Sequence, residues 1–368
     1  MQNHGNKLLL GFLVFSLLIL LVSMVYRKNP PVGLNEETVH KENPSTDVDE
    51  ETVHKENPST DVEKEKVHKE NPSTGLRSDL LNMDPNTIID HLFQNTKAVP
   101  ERKISLENYA LKAETATHWK LPGRLEEISG LAITLDNYLM AHNDEKSVIH
   151  EIDYQNGAIV KAFQLSDMKN PVNDDFEGIA TVNNQVYLVT SSGRIYEGSR
   201  GADGESVLYN IYATGVGRDY EIEGLAYDAN QGALVLMCKD PRRAELKEQL
   251  VLYRWSLDKK QLIEDAHIVI PVIEFTRHIE GKAFQPSGIE RHPVSGNYFV
   301  VAARQKAIAE ITPSGQVVAA KRFPAQWHRQ PEGITFTADG TLIIADEGSG
   351  KKARLTLYPV SGYSSFGK

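Results

Sequence analysis

The chain has 368 residues, with 40 Lys and Arg against 50 Asp and Glu, a net charge of −10 and a single cysteine. The acidic balance argues against a nucleic-acid-binding protein, which carries a basic stripe. A lone Cys238 excludes an intrachain disulfide and a cysteine-rich zinc site.

The hydrophobic and charged residues are unevenly spread, and three segments follow from that: an anchor at 1–28, a linker with a short helix at 29–100, and a globular domain at 101–368. Leu8 to Tyr26 is a run of 19 residues without a charge. At about 1.5 Å per helical residue it spans the roughly 30 Å hydrocarbon core of a bilayer. A buried core helix is a poor fit, because the run is apolar on every face. A cleaved signal peptide has a shorter apolar core and ends in a small-x-small site, whereas this run ends Ser23-Met24-Val25-Tyr26. The run therefore predicts an uncleaved single-pass membrane anchor. Lys7 on one side and Arg27 with Lys28 on the other leave its orientation nearly balanced.

Residues 37–46 read ETVHKENPST, residues 51–60 repeat them, and residues 65–74 read EKVHKENPST, a period of 14. Each unit holds one Val as its only large apolar residue, and a Pro, too little to offset the entropy of ordering. The repeat predicts a disordered spacer. His40, His54 and His68 recur within it at a spacing that preorganises no metal site. Residues 79–95 are mildly amphipathic and predict a short helix.

From about residue 105, short β-branched and aromatic runs alternate with Gly, Asn and Asp turns, the texture of an all-β domain. A motif recurs: Ser or Glu, then Gly, a small apolar triplet, a turn and a second apolar strand. Its glycines are Gly130, Gly178, Gly224, Gly288 and Gly333, at steps of 48, 46, 64 and 45 residues. That period predicts an all-β, five-bladed β-propeller with four strands per blade. Six blades is the alternative, if the 64-residue step hides a degenerate unit. Glu280-Gly281 imitates the motif but stands 17 residues before the next strand instead of 8–10, so the extra length reads as an insertion around Pro241–Gln249 or as longer outer strands. The fifth unit lacks a fourth strand. The orphan segment 109–122 can supply it, closing the ring and removing an exposed edge.

ISGLAI, DFEGIATV, EIEGLAYD, PSGIERHPVSGNYFVV and QPEGITFTADGTLIIADEG together resemble the SdiA-regulated, YjiK-like family of bacterial envelope propellers, which is related to NHL-repeat propellers. The resemblance covers about residues 105–362. It implies a periplasm-facing domain tethered to the inner membrane, N-terminus in and C-terminus out, with a calcium ion at the channel funnel.

First strands line the channel of a propeller, so Ser129, Glu177, Glu223, Ser287 and Glu332, each preceding a motif Gly, are expected to converge there. Glu177, Glu223 and Glu332 would repel one another if left bare. A hard cation such as calcium would relieve that repulsion, and turn chemistry with backbone or Arg partners is the competing explanation. The ends of the second strands form a more varied polar ring, where ligand contacts are expected: His142, Asn143, Ser191, Ser192, Lys239, Asp240, Arg304, Asp346 and Glu347. Asp174 and Asp175 read as a solvated turn. His278, His292 and His328 read as loop residues at the surface, and Cys238 as a packed core residue. No Gly-x-Ser-x-Gly elbow, phosphate-cradling loop or His-Glu-x-x-His is present. The first expectation is therefore a tethered module that binds a small ligand or an envelope partner. Two others stand beside it: a calcium-dependent hydrolase of lactonase, esterase or phosphoesterase type, with His142 and Glu347 as acid–base candidates, and a structural spacer.

Overall fold

The computed structural model of the protein describes residues 104–361, apart from 169 and 243–246. The expected anchor, linker and short helix lie outside the described residues. Among the described residues no helix is long and apolar enough to cross a membrane.

The domain is a five-bladed β-propeller. β1 (Thr117–Lys120) precedes the first blade, which is built from β2 (Ile128–Ile133), β3 (Leu139–Asn143), β4 (Val148–Asp153) and β5 (Ala158–Leu165). The second blade takes β6 (Phe176–Val182), β7 (Gln185–Thr190) and β8 (Arg194–Ser199). The chain then crosses back as β9 (Ser206–Val207) to pair in parallel with β5, and returns as β10 (Tyr209–Ala213) to complete the second blade. β9 thus covers the outer edge of the first blade, an edge that would otherwise offer unpaired backbone groups.

The third blade holds β11 (Tyr220–Asp228), β12 (Ala233–Pro241) and β13 (Gln249–Ser256). Its outer strand is split into β14 (Gln261–Leu262) and β15 (Ile268–Pro271), which pair with opposite ends of β13. The helix α1 (Val272–Ile279) follows. The fourth blade is β16 (Gly288–Arg291), β17 (Tyr298–Ala302), β18 (Ala307–Ile311) and β19 (Val317–Arg322). The fifth is β20 (Pro331–Phe336), β21 (Leu342–Asp346), β22 (Arg354–Tyr358) and, antiparallel to β22, β1. The ring therefore closes as the orphan segment predicted, with Trp119 opposite Leu355. The split outer strand, α1 and the longer hairpin between β12 and β13 take up the 64-residue step; no sixth blade is present among the described residues. Glu280 caps α1 with φ 51°, so Glu280-Gly281 is a helix end and not a motif copy.

Both faces of each blade are buried against neighbours, which is why the strands read as continuous apolar runs. Side chains on a strand alternate between faces. In β12, Leu234, Leu236 and Cys238 enter the core shared with the second blade, while Val235 and Met237 enter the core shared with the fourth. Five such cores lie at the five blade interfaces.

The motif glycines are explained by the contact between inner strands. A Cβ on Gly178 would stand 2.6 Å from Leu225 N, one on Gly224 3.1 Å from Ile289 Cγ2, and one on Gly333 2.6 Å from Leu131 Cγ. A Cβ on Gly130 would meet His142 and, at 3.2 Å, Ile179, and one on Gly288 would overlap Glu332 O. Each glycine thus faces the inner strand of the following blade, in an unbroken cycle. The glycine recurs because five strands cannot meet around one axis with side chains at that level.

Candidate functional site

The inner strands meet around a narrow channel. At its waist the motif glycines and the aliphatic residues after them leave only about 10 Å³ of free volume, roughly one water-sized sphere. The waist is therefore a plug, and chemistry belongs to the mouths.

A β-bulge builds the first mouth. Pairing slips in β2, β6, β11 and β20 at the residue before the motif Gly. A bulge leaves one residue unpaired and re-aims its side chain. Ser129, Glu177 and Glu332 line the constriction, and Glu223 is tied to Lys239 from β12, Nζ to Oε1 at 2.7 Å. The three glutamates expected to converge do so.

Their electrostatics differ from a bare ring. Burial, then the Glu223 carboxylate, pushes the pKa of Glu177 up to about 9. Burial and Glu223 likewise push Glu332 up to about 8. Burial disfavours the Lys239 ammonium, but the carboxylates of Glu223, Glu332 and Glu177 outweigh it and hold its pKa above the ordinary lysine value. At neutral pH the mouth is thus one ion pair beside two carboxyl groups that retain protons. Lys239 and protons held on Glu177 and Glu332 are a way of relieving the repulsion of a bare ring with the chain's own groups. Among the described residues no three His, Cys, Asp or Glu side chains are grouped to hold a metal ion. As arranged, the donor set does not fit a dication.

Beside this ring, between the third, fourth and fifth blades, lies a cavity of about 380 Å³. Lys239, Arg304, Lys306 and Arg329 line it, with Ser287 and Glu332 below. Arg304 Nη1 donates to Gln285 Oε1 at 3.3 Å, Lys306 Nζ to Ala325 O at 3.5 Å and Arg329 Nη1 to Gly348 O at 3.5 Å. Among the described residues no carboxylate forms an ion pair with Arg304, Lys306 or Arg329. Three cations, two of them the exposed Arg304 and Arg329, thus face one cavity that also carries the Glu332 carboxyl.

The expected ligand ring is only partly open. Lys239 and Arg304 line the cavity. Two of the expected contacts, His142 and Asp346, are buried. His142 is fully buried; its Nδ1 donates to Asn143 O at 2.9 Å, because a carbonyl can only accept. Burial lowers its pKa to about 4. Asp346 is also buried, with Oδ2 2.8 Å from His328 Nδ1. Asn143 donates to Arg124 O, Ser191 donates to Asp175, and Glu347 accepts from Gln330. Of the hydrolase candidates, Glu347 is paired with Gln330, while His142 Nε2 is buried without a hydrogen-bond partner. Cys238 is packed in the core as expected. The side chain of Asp240 lies outside the described residues.

Several other expectations change. His292 and His328 are fully buried, not surface residues: His292 joins Tyr109 OH to the backbone N–H groups of Val294 and Ser295, and His328 joins Tyr358 OH to the Asp346 carboxylate. His278 is exposed but sits on α1. Asp174 is pinned by Arg194 at 2.8 Å and Tyr196 at 2.7 Å, so it anchors a loop instead of facing solvent alone. Lys306 and Arg329 went unnoticed in the sequence. Arg329 stands three residues before the fifth motif copy, where the other copies carry Glu126, Asp174, Tyr220 and Phe284, so a cation at that offset was the available signal.

No family model matches the chain, and no curated protein matches it. Among solved structures, the glutaminyl cyclase of Myxococcus xanthus is 14% identical, with a TM-score of 0.47, covering 67% of this chain and 96% of that one. A luciferin-regenerating enzyme is 12% identical, with a TM-score of 0.43, over 68% of this chain and 97% of its own. A streptogramin B lyase is 13% identical, with a TM-score of 0.38, over 66% and 97%. Similarities of this size carry no argument about activity.

Proposed function

We propose that this propeller is a binding module and that its ligand presents an anionic group to the cavity at the first channel mouth. The carrying observation is the set of three cations, Arg304, Lys306 and Arg329, around about 380 Å³ with no carboxylate partner among the described residues. The volume suits a small ligand. Arginine supplies a planar fork that matches carboxylate or phosphate, and lysine supplies a point charge. The protons retained by Glu177 and Glu332 remove most of the negative charge that would repel such a ligand.

Thermal shift and calorimetry of the full chain with inorganic phosphate, acetate and succinate test the reading. Saturable binding that is weakened at least tenfold in Arg304→Gln with Arg329→Gln is expected. Absence of binding by all three anions overturns it.

The same proposal places the domain outside an inner membrane, tethered by Leu8–Tyr26 through the repeat linker, and assigns it to the SdiA-regulated family. The apolar run and the five motif copies support this. Protease added to spheroplasts should trim the linker, and a protected linker would refute the outward orientation.

A further inference from the structure

A second cavity opens from the first. It holds about 260 Å³ between the third and fourth blades, beneath the start of α1. Lys239, Gln285 and Pro286 line both cavities, so the two meet at that threshold. Their linings differ. The first is ringed by cations. The second is walled by Cys238, Leu250, Val272, Ala283, Phe284 and Pro286. Cys238, Leu250 and Phe284 are buried core residues that still present a face to this space. Its polar lining is Lys239 and Gln285 at the threshold, Gln249, and the exposed Glu248 and Lys282. Phe284 is held in place by stacking on Phe275 of α1, with ring centroids 4.5 Å apart at 12°. Lys239 lies across the threshold, its ammonium anchored on Glu223 and its aliphatic stem available to an apolar neighbour.

From the juxtaposition of a cationic cavity and an apolar one across a shared threshold, we infer that the ligand is a single-chain amphiphile: a carboxylate or phosphate head at Arg304 and Arg329, with an aliphatic tail running over Lys239 to Phe284. The inference rests on the anion-binding reading above and adds the chemical class of the ligand. α1 and the loop after it account for much of the extra length in the 64-residue step, and they supply Val272, Ala283 and Phe284. The one irregular unit of the repeat thus builds the wall that an amphiphile requires.

A homologous series separates the two claims. Full-length protein is titrated with acetate, butanoate, hexanoate, octanoate and octyl phosphate, all below their micellar concentrations, with octanol as the uncharged control. Affinity is expected to rise roughly three- to fourfold per methylene, as burial of each adds to binding, and octanol is expected to bind at least tenfold more weakly than octanoate. Ala283→Trp, at an exposed position lining only the apolar cavity, should flatten the chain-length dependence and leave acetate and phosphate binding unchanged. Equal affinity across the series overturns the amphiphile while leaving the anion site intact. Octanol binding as tightly as octanoate overturns the assigned head site. Failure of every anion, inorganic phosphate included, overturns the underlying reading instead.

Discussion

The seam where the ring closes and the mouth of its channel both bury polar groups, and they satisfy them in opposite ways. At the seam, His292 Nδ1 accepts from the N–H groups of Val294 and Ser295, so the proton sits on Nε2 and is donated to Tyr109 OH at 2.9 Å. Tyr109 in turn donates to Gly340 O at 2.6 Å. Leu106 N donates to the buried Glu310 Oε2 at 2.7 Å, and Asn297 Nδ2 donates to its Oε1. Each of these groups has a partner supplied by the chain, although His118 Nε2 and Trp119 Nε1 on the closing strand are buried without one. At the mouth, three carboxylates share one ammonium, two of them retain protons, and three nearby cations lack a carboxylate among the described residues. A network completed internally holds a structure together. The cations at the mouth, of which Arg304 and Arg329 are exposed to solvent, leave charge that a ligand can meet.

The comparison breaks most visibly if the seam is removed. Deleting residues 104–120 from the full chain exposes β22 as a bare edge and removes Leu106 and Tyr109 from the fourth–fifth blade core. Loss of the cooperative melt, or a fall in Tm of more than about 10 °C, is expected by circular dichroism, with association through the freed edge seen in gel filtration. A melt within a few degrees of the parent would show that the ring does not depend on its closure. Gly288→Ala comes next. Its Cβ would overlap the Glu332 carbonyl, which cannot yield without moving the fifth blade. Destabilisation of about 3 kcal/mol or more in urea is expected. Gly123→Ala, where a Cβ meets nothing within 4 Å, is the neutral control.

Blade number, strand phase and ring closure were legible because they are repeated or local. Five copies of one motif announce five blades, and the missing fourth strand at the end of the chain points to Thr117–Lys120. The split outer strand and α1 were not legible. IVIPVIEFTRHI is one apolar run in which the period changes from strand to helix at Pro271, and the packing that accompanies the change, Phe275 on Phe284, involves a residue beyond the run. The buried histidines were invisible for a different reason. The partner of His292 is Tyr109, 183 residues away, and nothing around either residue names the other. At the mouth the convergence of Glu177, Glu223 and Glu332 could be read from the repeat. The entry of Lys239 into their ring could not, since it depends on the reach of one side chain from a neighbouring strand.

Acidification sharpens the comparison from the seam side. Burial, with help from Arg291, lowers the pKa of His292 to about 4, whereas an unfolded histidine titrates near 6.5. The folded state therefore favours neutral imidazole. This contribution is fully present above pH 6.5 and is lost progressively as pH falls toward 4. Protonation would place a third N–H against the two backbone donors already bonded to Nδ1. His292→Gln should reduce stability at pH 7.5 by about 2–3 kcal/mol and make the melt less sensitive to pH between 6.5 and 4. An unchanged pH profile in the variant would show that His292 does not carry the acid sensitivity of the seam.

The mouth titrates with the opposite sign. Glu177 is pushed up to about 9 from an ordinary value of 4.5, so the folded state prefers the protonated acid. The unfolded chain releases that proton near 4.5. Its contribution is present below that pH and is lost as pH rises through the interval between the two values. Glutamine keeps the shape and neutrality of the acid but cannot ionise. Glu177→Gln should leave stability unchanged at pH 4.5 and raise it by on the order of 1–2 kcal/mol at pH 8, where burial, with Glu223 and Asp175 beside it, makes the folded state keep a proton on Glu177 that the unfolded chain has released. The anion site predicts a second effect of the same change. If neutralising the mouth is what admits an anion, phosphate affinity should fall between pH 7 and pH 9 in the parent, beyond the change that phosphate's own ionisation produces, and fall less in Glu177→Gln. Equal slopes for parent and variant, with stability raised as expected, would mean that the carboxylate ring and the cationic cavity act independently despite sharing Glu332 and Lys239.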